Sequence, residues 1–375
     1  VGYLRTNWSR DPFSFGSYSY LAKGSSALDR ATLAEPVNQQ VFFAGEAANP
    51  PYEGTVHAAH ESGHRVAQEI WAAGYTSVGI IGAGISGLTA AHALSNQGVD
   101  VSIFEARSRI GGRIWTDNTL GVPLDLGGSW IHGDEGNPLV ALAQQTSAET
   151  KATDESYIIR GEGGRRLRWW STPDWLETVV SYEQSTGADY DAVDWDGYGR
   201  QDDYEGDDLL FPGGYSQILN AFSGEYQIAF EQAIERVRIR QDGVSLHGAS
   251  GRLGDFDGVI VTVPLGVLKQ GKLAFEPPLP VEKQDALARM RMGTLDKLYL
   301  RFDEVFWDAD ATWILTPETG LPRGQFNQWL NLSPYLGEPI IMAFNGASAA
   351  LELADLSDEA LLGRALQVLN SAYPQ

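Results

Sequence analysis

The sequence predicts a two-domain protein of the α/β class. A glycine-rich turn at 82–87 follows an apolar strand and opens a helix, and a second strand ends on Glu105. This order, with an acidic residue a little over twenty positions after the first glycine, is typical of a Rossmann-type dinucleotide-binding domain. A chain of 375 residues has room for a second domain of similar size.

Composition excludes several classes of function. The net charge of −22 argues against a nucleic-acid partner, because no segment concentrates positive charge against phosphates. The absence of cysteine excludes a disulfide framework, a thiolate metal site and a cysteine nucleophile. No apolar run approaches the ~18 residues of a membrane span, so no membrane association is expected. The chain begins at Val1 without a Met or a secretory h-region, which predicts a processed or trimmed chain and leaves the compartment open, with the cytoplasm favoured.

Local patterns give the elements of the first domain in chain order. Apolar runs predict strands at 41–44, 78–81 and 99–104. Helical spacing of apolar residues predicts a helix over 55–71, which Gly74 ends, and a second helix over 88–96, which Gly98 ends. Strands and helices that alternate in this way predict a parallel sheet.

The later elements are less regular. Residues 137–205 carry four tryptophans and then an acidic run. A turn at 211–215 precedes a helix predicted over 216–222, and strands are predicted over 259–263 and 295–302. In the last of these, alternate residues from Leu295 to Arg301 share one face. Ser357 is predicted to cap a final helix with an apolar stripe.

The glycine-rich turn indicates an anion bound at the start of a helix. Free N–H groups and the helix dipole there suit a pyrophosphate, and Glu105 can accept hydrogen bonds from ribose hydroxyls. This carboxylate disfavours a 2′-phosphate, so NADP is not expected. Further glycine pairs at 111–112 and 127–128, with Arg107 and Arg113 nearby, would let backbone approach a larger cofactor. A nicotinamide enzyme needs no such second loop, whereas a flavin enzyme does.

Several segments resemble motifs of the flavin amine oxidase family, which includes polyamine oxidases, monoamine oxidases and lysine-specific histone demethylases. The segments 82–88, 105–113 and 127–133 are similar to its N-terminal FAD motifs. TVPLGVLK at 262–269 and MGTLDK at 292–297 resemble its middle, and the segments 8–12, 16–19 and 43–63 resemble its C-terminal flavin motifs. The resemblance implies a GR2-like flavoprotein fold, with a Rossmann-type FAD-binding domain and an α+β substrate-binding domain that has a mixed or antiparallel sheet.

The order of these motifs is rearranged. Residues 1–74 correspond to the family's C-terminal part and 75–375 to everything before it, so the sequence resembles a circularly permuted member. Exposed and adjacent termini tolerate such a change, and a natural or an engineered origin both fit it. We predict that 1–134 and 208–266 form the FAD-binding domain and that 135–207 and 267–375 form the substrate-binding domain.

The resemblance also implies roles for single residues in binding FAD. Glu105 faces the adenosine ribose and Arg113 the phosphate or ribityl region. Val237 contacts adenine through its backbone, and Glu46 the ribityl chain. The predicted cofactor-binding residues are Gly82, Ala83, Gly84, Ser86, Gly87, Glu105, Ala106, Arg107, Gly112, Arg113, Gly128, Ser129, Trp130, Val237, Trp8, Gly45, Glu46, Thr55 and Val56. Because the chain lacks the cysteine through which monoamine oxidases tether their flavin, the FAD is expected to be noncovalent.

Four residues are predicted to act on the substrate: Lys297, His132, Tyr18 and Thr55. In the family, the lysine that matches Lys297 holds a water against the flavin, although an exposed edge-strand lysine also fits the pattern. Tyr18 and Thr55 match positions that flank the substrate amine, and the small Thr55 leaves room for a secondary amine. His132 lies in GSWIHG, which resembles polyamine oxidases, although a lone histidine is more often structural. The family usually has Asn where Asp296 stands.

These features predict a polyamine oxidase that acts on a cationic amine of the spermine or spermidine class. By resemblance, a hydride passes from the amine α-carbon to flavin N5, the imine is hydrolysed and O2 is reduced to H2O2. Oxidation of monoamines, L-amino acids or lysine side chains is one alternative, and a flavin-binding scaffold with weak catalysis is another. The demethylase interpretation is less favoured, because the extra helical insertion of that group is missing. The oligomeric state is left open.

Two clusters admit more than one interpretation. His57, His60 and His64 share a helix face, but a zinc site is not favoured because this chemistry requires no metal. Nine acidic residues between Asp189 and Asp208, opposed by Arg200, fit either a solvated loop or a negative rim that attracts a polycation.

Overall fold

The computed structural model of the protein describes residues 1–198 and 202–374. Within them the β-strands are β1 Gly2–Arg5, β2 Tyr18–Tyr20, β3 Val41–Phe43, β4 Ser77–Ile81, β5 Asp100–Phe104, β6 Thr116–Asp117, β7 Leu124–Asp125, β8 Trp130–Ile131, β9 Lys151–Ala152, β10 Tyr157–Arg160, β11 Arg166–Leu167, β12 Leu209–Leu210, β13 Gln227–Ala229, β14 Ile234–Arg240, β15 Gly243–Gly248, β16 Gly251–Phe256, β17 Gly258–Val261, β18 Ala274–Glu276, β19 Arg291–Gly293, β20 Leu295–Arg301, β21 Trp313–Leu315, β22 Gln328–Asn331 and β23 Ile340–Gly346.

The α-helices of the same residues are α1 Ala27–Ala34, α2 Val56–Ala72, α3 Ile85–Ser95, α4 Pro138–Gln145, α5 Trp175–Glu177, α6 Gln184–Thr186, α7 Trp195–Tyr198, α8 Leu265–Lys269, α9 Val281–Arg289, α10 Ser333–Leu336, α11 Ala347–Ala354 and α12 Asp358–Ala372. A π-helical stretch, Thr178–Glu183, joins α5 to α6. Short 3-10 helices lie at Glu46–Ala48, Glu162–Gly164, Trp169–Ser171, Tyr190–Ala192 and Tyr215–Phe222. None of these helices, within 1–198 and 202–374, is long and apolar enough to cross a bilayer.

A parallel sheet in the order β13-β5-β4-β17-β3 forms the centre of the first domain. All of its pairings are parallel, and its central strands are buried on both faces, as parallel strands usually are. β4, α3 and β5 form the predicted strand–helix–strand unit with bounds that shift by a few residues. The prediction of a Rossmann-type domain is therefore confirmed.

Helix α2 packs on the start of α3. It begins after Thr55, whose Oγ1 accepts a hydrogen bond from the N–H of Ala58 at 3.2 Å. A Cβ on Gly63 would lie 2.4 Å from the carbonyl oxygen of Ser86, so only glycine allows this close approach. Through this contact α2 positions the N-terminus of α3, where the sequence predicts an anion site.

The second domain is built on a sheet in the order β1-β20-β23-β22-β21-β10-β11. Its pairings are antiparallel except for the parallel pair β10 and β21, which is the mixed sheet that the sequence predicts. β20 lies between β1 and β23 and is buried on both faces. The predicted alternation along β20 is therefore wrong, and Lys297 is not an edge-strand lysine.

The domain bounds differ from the predicted ones in three places. β1, predicted in the FAD-binding domain, pairs with β20 of the second sheet. α4, predicted in the substrate-binding domain, packs Leu139 and Leu142 into the core around the parallel sheet. β18, predicted in the same domain, pairs with β14 beside that core. Each of these contacts joins residues that are distant in the chain, so local patterns do not report them.

Candidate active site

A cavity of about 1420 Å³ runs from the parallel sheet to the second sheet. At one end its wall consists of residues that directly follow β3, β4, β5 and β17, which is where open parallel sheets bind ligands. At the other end it consists of residues from β20, β22 and β23. The volume exceeds the roughly 300–1,000 Å³ of a pocket for a drug-sized ligand, so the cavity has room for a dinucleotide and a second molecule.

The cavity brings together most of the residues that the sequence singles out. The four predicted catalytic residues, Lys297, His132, Tyr18 and Thr55, all line it. The predicted cofactor-binding residues on its wall are Gly82, Gly84, Ser86, Glu105, Ala106, Arg107, Gly112, Arg113, Gly128, Ser129, Trp130, Trp8, Gly45, Glu46, Thr55 and Val56.

Two predicted residues of the glycine-rich turn lie behind the wall. The N–H of Ala83 donates to Glu105 Oε2 at 2.7 Å, so Ala83 positions the carboxylate instead of facing a ligand. A Cβ on Gly87 would lie 2.1 Å from the carbonyl oxygen of Gly82. Gly87 therefore allows the helix to pack on the strand, which is the usual role of the third glycine in this motif.

The prediction for Val237 does not match the structure. This residue is fully buried in a core between two sheets, and residues 232–236 line the cavity in its place. Ile234, one turn of the pleat earlier on β14, is the apolar residue that reaches the wall. The sequence interpretation chose the right strand and the wrong register, because both residues are apolar and point to buried sites.

The start of α3 fits a bound pyrophosphate. Gly84 occupies the N-cap position and supplies no side-chain cap, and Gly84 and Ser86 line the cavity. The N–H groups of the first turn are therefore available to an anion. Glu105 is buried on the same wall, and its Oε1 accepts the N–H of Arg107 at 2.8 Å. A fixed carboxylate at the end of β5 suits ribose hydroxyls.

Glu46 is buried beside two arginines. It accepts hydrogen bonds from Arg113 Nη1 at 2.8 Å and from the N–H and hydroxyl of Ser19. Burial alone would raise the pKa of Glu46, but the charges of Arg113 and Arg30 outweigh burial and hold that pKa below its ordinary value. An ionised and fixed carboxylate in this position can accept a hydroxyl of the cofactor.

Lys297 points from β20 onto the loop that follows β7. Its Nζ donates to the carbonyl oxygens of Asp125 at 2.9 Å and Gly127 at 2.6 Å, and to the hydroxyl of Ser129. Its side chain is buried, with 5% of the residue exposed. Burial lowers the pKa of Lys297 to about 8, against the opposing charge of Asp125. Lys297 thus fixes the second glycine loop and loses its proton near neutral pH.

Sequence reasoning missed Asp125, the buried partner of Lys297. Its carboxylate accepts the Thr116 hydroxyl at 2.5 Å and the N–H of Tyr215 at 3.0 Å. Burial raises the pKa of Asp125 to about 6, although these hydrogen bonds and the charge of Lys297 oppose the rise. The available signal was an acidic residue between two leucines, directly before the glycine pair.

Aromatic rings surround the ammonium group. The ring of Trp130 stacks on Trp313 with centroids 6.2 Å apart, and Trp313 stacks on Phe344 at 6.2 Å. Lys297 Nζ lies 5.9 Å from the centroid of Trp130 and 6.0 Å from that of Phe344. All three rings line the cavity. A site with such walls excludes water and favours the neutral form of an amine.

Tyr18, Trp8 and Asp296 belong to one network near these rings. The Tyr18 hydroxyl donates to the carbonyl oxygen of Gln184 at 2.8 Å, and burial raises the pKa of Tyr18. The indole N–H of Trp8 donates to the carbonyl oxygen of Leu126 at 3.1 Å. Asp296 accepts the N–H of Trp8 at 2.9 Å and does not reach the cavity wall, so this carboxylate holds Trp8 in place.

Another part of the cavity wall is acidic. His132 Nδ1 lies 2.9 Å from Asp208 Oδ2. Burial would raise the pKa of Asp208, but its hydrogen bonds with His132 and with the N–H of Gly133 outweigh burial and lower it. Asp202 and Asp203 also line the cavity, and burial raises the pKa of Asp203. Arg200 lies outside the described residues.

The three histidines of α2 do not converge on one point. His60 Nδ1 lies 2.8 Å from the Thr89 hydroxyl, and burial lowers the pKa of His60 to about 3. His57 lies between the rings of Tyr52 and Tyr204 and lines the cavity. Within the described parts of the chain, no group of three or more His, Cys, Asp or Glu residues is arranged to hold a metal.

Comparisons with known proteins agree with this geometry. The family model of flavin-containing amine oxidoreductases matches residues 1–71, 85–166 and 174–375. Protein FLOWERING LOCUS D of Arabidopsis thaliana is 30% identical over 80% of this chain and 45% of its own length. Lysine-specific histone demethylase 1 homolog 2 of Oryza sativa subsp. japonica is 29% identical over 79% of this chain and 46% of its own length. The chain thus spans less than half the length of these two relatives.

Two further similarities bear on the fold and the family. Polyamine oxidase 4 of Oryza sativa subsp. japonica is 28% identical over 80% of this chain and 73% of its own length. A solved structure of a redesigned putrescine oxidase superposes with a TM-score of 0.58 at 19% identity, covering 80% of this chain and 82% of that one. This likeness shows the fold. Because the family model spans nearly the whole chain and the cavity presents fitting groups to a flavin dinucleotide, the chain belongs to the flavin-containing amine oxidoreductase family, with FAD as its cofactor.

Proposed function

We propose that this protein oxidises polyamines of the spermine and spermidine class, with O2 as the final oxidant. The observation that carries the proposal is that carboxylates lie on the wall of the same cavity as Lys297 and the aromatic rings. Asp202, Asp203 and Asp208 are these carboxylates. A polyamine carries several ammonium groups along one flexible chain, so one amine can enter the aromatic part while carboxylates bind the others.

The chain's own residues prepare the reacting amine. Trp130, Trp313 and Phe344 desolvate it, which favours loss of its proton. With a pKa of about 8, Lys297 presents a neutral Nζ in a substantial fraction of molecules near pH 8, and this atom accepts a proton directly or through a water. When bound, FAD supplies the acceptor for the hydride of the amine α-carbon.

His57 supports a second contact with a polyamine. Its Nε2 is buried and has no hydrogen-bond partner among the described residues, and the residue lines the cavity. Burial and the charge of His132 lower the pKa of His57 to about 4, so the ring is neutral at pH 7. A neutral ring nitrogen accepts a hydrogen bond from an ammonium group.

Peroxide release tests the proposal. The purified protein with bound FAD is assayed with spermine, spermidine, propylamine, L-lysine and a peptide that contains a methylated lysine. We expect kcat/KM for spermine or spermidine to exceed that for propylamine and L-lysine at least tenfold, because only the polyamines meet the carboxylates. A higher kcat/KM with the peptide would favour the demethylase function named in the rice relative, and no peroxide with any amine would refute amine oxidation.

A further inference from the structure

We propose that Gln184 is a specificity-determining residue that binds an amide group of the substrate, so that the preferred substrate is an N-acylated amine. This inference deepens the proposed function and rests on it. No sequence motif singles out Gln184, which lies in the stretch 137–200 that the family motifs leave unassigned.

The side-chain amide of Gln184 is buried on the cavity wall without a partner. The residue is 6% exposed and lines the cavity. Neither its Oε1 nor its Nε2 has a hydrogen-bond partner among residues 1–198 and 202–374. A buried polar atom that stays unpaired costs about 1–3 kcal/mol, and most such atoms in folded proteins are paired. Two unpaired atoms that face a ligand cavity therefore point to a ligand that pairs with both.

The backbone around Gln184 holds this amide in place. Its N–H donates to the carbonyl oxygen of Val179 at the end of the π-helical stretch, and such stretches are frequent at functional sites. Its carbonyl oxygen accepts the hydroxyl of Tyr18, a predicted substrate-flanking residue on the same wall. A Cβ on Gly346 would lie 3.2 Å from the Gln184 Cα, so β23 packs closely behind it. Gln184 is thus fixed beside the predicted reaction site.

The pairing of a donor with an acceptor decides the class of ligand. An ammonium group offers N–H donors, which pair with Oε1 and leave Nε2 without an acceptor. A secondary amide offers one N–H and one carbonyl oxygen, which pair with Oε1 and Nε2 together. The acyl end of an N-acylated polyamine and the backbone of a peptide both supply this group. The shared chemistry is a secondary amide that is covalently linked to the amine to be oxidised.

The test uses the FAD-bound protein and its Gln184→Met and Gln184→Glu variants. Anaerobic flavin reduction is measured with N-acetylspermine, with spermine and with a peptide that contains a methylated lysine. We expect wild-type protein to be reduced by N-acetylspermine at least tenfold more efficiently than by spermine. Gln184→Met should lower the value for N-acetylspermine at least tenfold and that for spermine less than threefold. The matched control is Gln144→Met, at an exposed position of α4, which should change neither.

Gln184→Glu separates recognition from a structural role. The variant keeps an acceptor, loses the N–H donors and gains a negative charge, so it should lower the efficiency with N-acetylspermine and raise that with spermine. A residue that only supported the fold would lower both together, with a lower melting temperature or FAD content. Equal changes with both amines, or a wild-type protein that does not discriminate between them, would overturn the inference and leave the proposed function intact.

Two further outcomes are informative. If the peptide is the best substrate and Gln184→Glu lowers its efficiency, amide recognition stands and the amide is that of a peptide. If no amine reduces the wild-type flavin, the proposed function fails. The dissociation constant of N-acetylspermine, from the change in flavin absorbance on binding, then decides the inference. Binding at least tenfold tighter than that of spermine, and lost in Gln184→Glu, supports it, whereas equal binding overturns it.

Discussion

Replacing Lys297 by Met should leave the fold nearly unchanged. Lowering the pKa from 10.5 to about 8 corresponds to about 3 kcal/mol against the buried ammonium group, at about 1.4 kcal/mol per pH unit. Met relieves this cost, but it leaves the carbonyl oxygens of Asp125 and Gly127 without a donor, at about 1–3 kcal/mol each. Because the two effects oppose each other, we expect a small change in melting temperature and full FAD content.

The pH dependence of stability follows from the same shift. The folded protein binds fewer protons at Lys297 than the unfolded chain does between the two pKa values. Wild-type stability therefore gains a contribution as pH rises from about 8 to 10.5. The Met variant should lose this contribution, which urea denaturation at several pH values measures.

Catalysis should respond much more strongly than stability. A group with a pKa of about 8 is about 9% neutral at pH 7 and about 90% neutral at pH 9. The limiting rate of anaerobic flavin reduction at saturating spermine should thus rise about tenfold between these pH values. In Lys297→Met we expect a rate at least 100-fold lower and no such rise, whereas Lys23→Met, at an exposed position, should behave as wild type. A Lys297→Met protein with the wild-type rate and pH profile would refute this role.

Three further substitutions test other parts of the structure. Asp202→Asn with Asp203→Asn should raise KM for spermine at least tenfold and KM for propylamine less than twofold; Glu205→Gln, exposed in the same segment and absent from the cavity wall, is the control, and equal effects on both amines would contradict the polycation site. Arg30→Met should lower the free energy of unfolding in urea by about 3–5 kcal/mol, because it leaves the buried Glu53 carboxylate without its arginine; Arg10→Met, in an exposed pair, should cost under about 1 kcal/mol, and similar losses would show that burial of the pair is unimportant. Gly87→Ala should lose FAD and melt earlier, since its Cβ meets a backbone oxygen at 2.1 Å; Gly363→Ala, with open space around it, should melt no earlier, and a yellow, stable Gly87→Ala protein would be the contrary result.

Local patterns sufficed where function needs a particular backbone. The turn at 82–87 is such a place, because close packing of α3 on β4 requires Gly87 and an uncapped helix start requires Gly84. The helix over 55–71 was also predictable from its spacing, and α2 spans Val56–Ala72. Ser357 caps α12 through its hydroxyl, which accepts the N–H of Ala360, as predicted.

Features that depend on distant contacts were not predictable. β1 carries no local sign of its partner, since Gly2 pairs with Arg301. The correct residue on β14 required the register of the strand, which separates Ile234 from Val237. Gln184 lies in a segment without a motif, and only burial on the cavity wall marks it. Glu205 belongs to the acidic run, yet only the fold shows that Asp202 and Asp203 line the cavity and Glu205 does not.

The rearranged order of the motifs stays a prediction. α2 is followed by β4 after a short turn, and both β4 and β3 flank β17 in one sheet. N-terminal sequencing and the intact mass of the isolated protein test whether the polypeptide has this order.

The most direct measurement is an anaerobic titration of the FAD-bound protein with polyamines. The absorbance of oxidised flavin is followed while spermine, spermidine and their N-acetylated forms are added. We predict that at least one of them removes this absorbance completely and that admission of O2 restores it with release of H2O2. A folded protein whose bound flavin stays oxidised with all of them would contradict the proposed function.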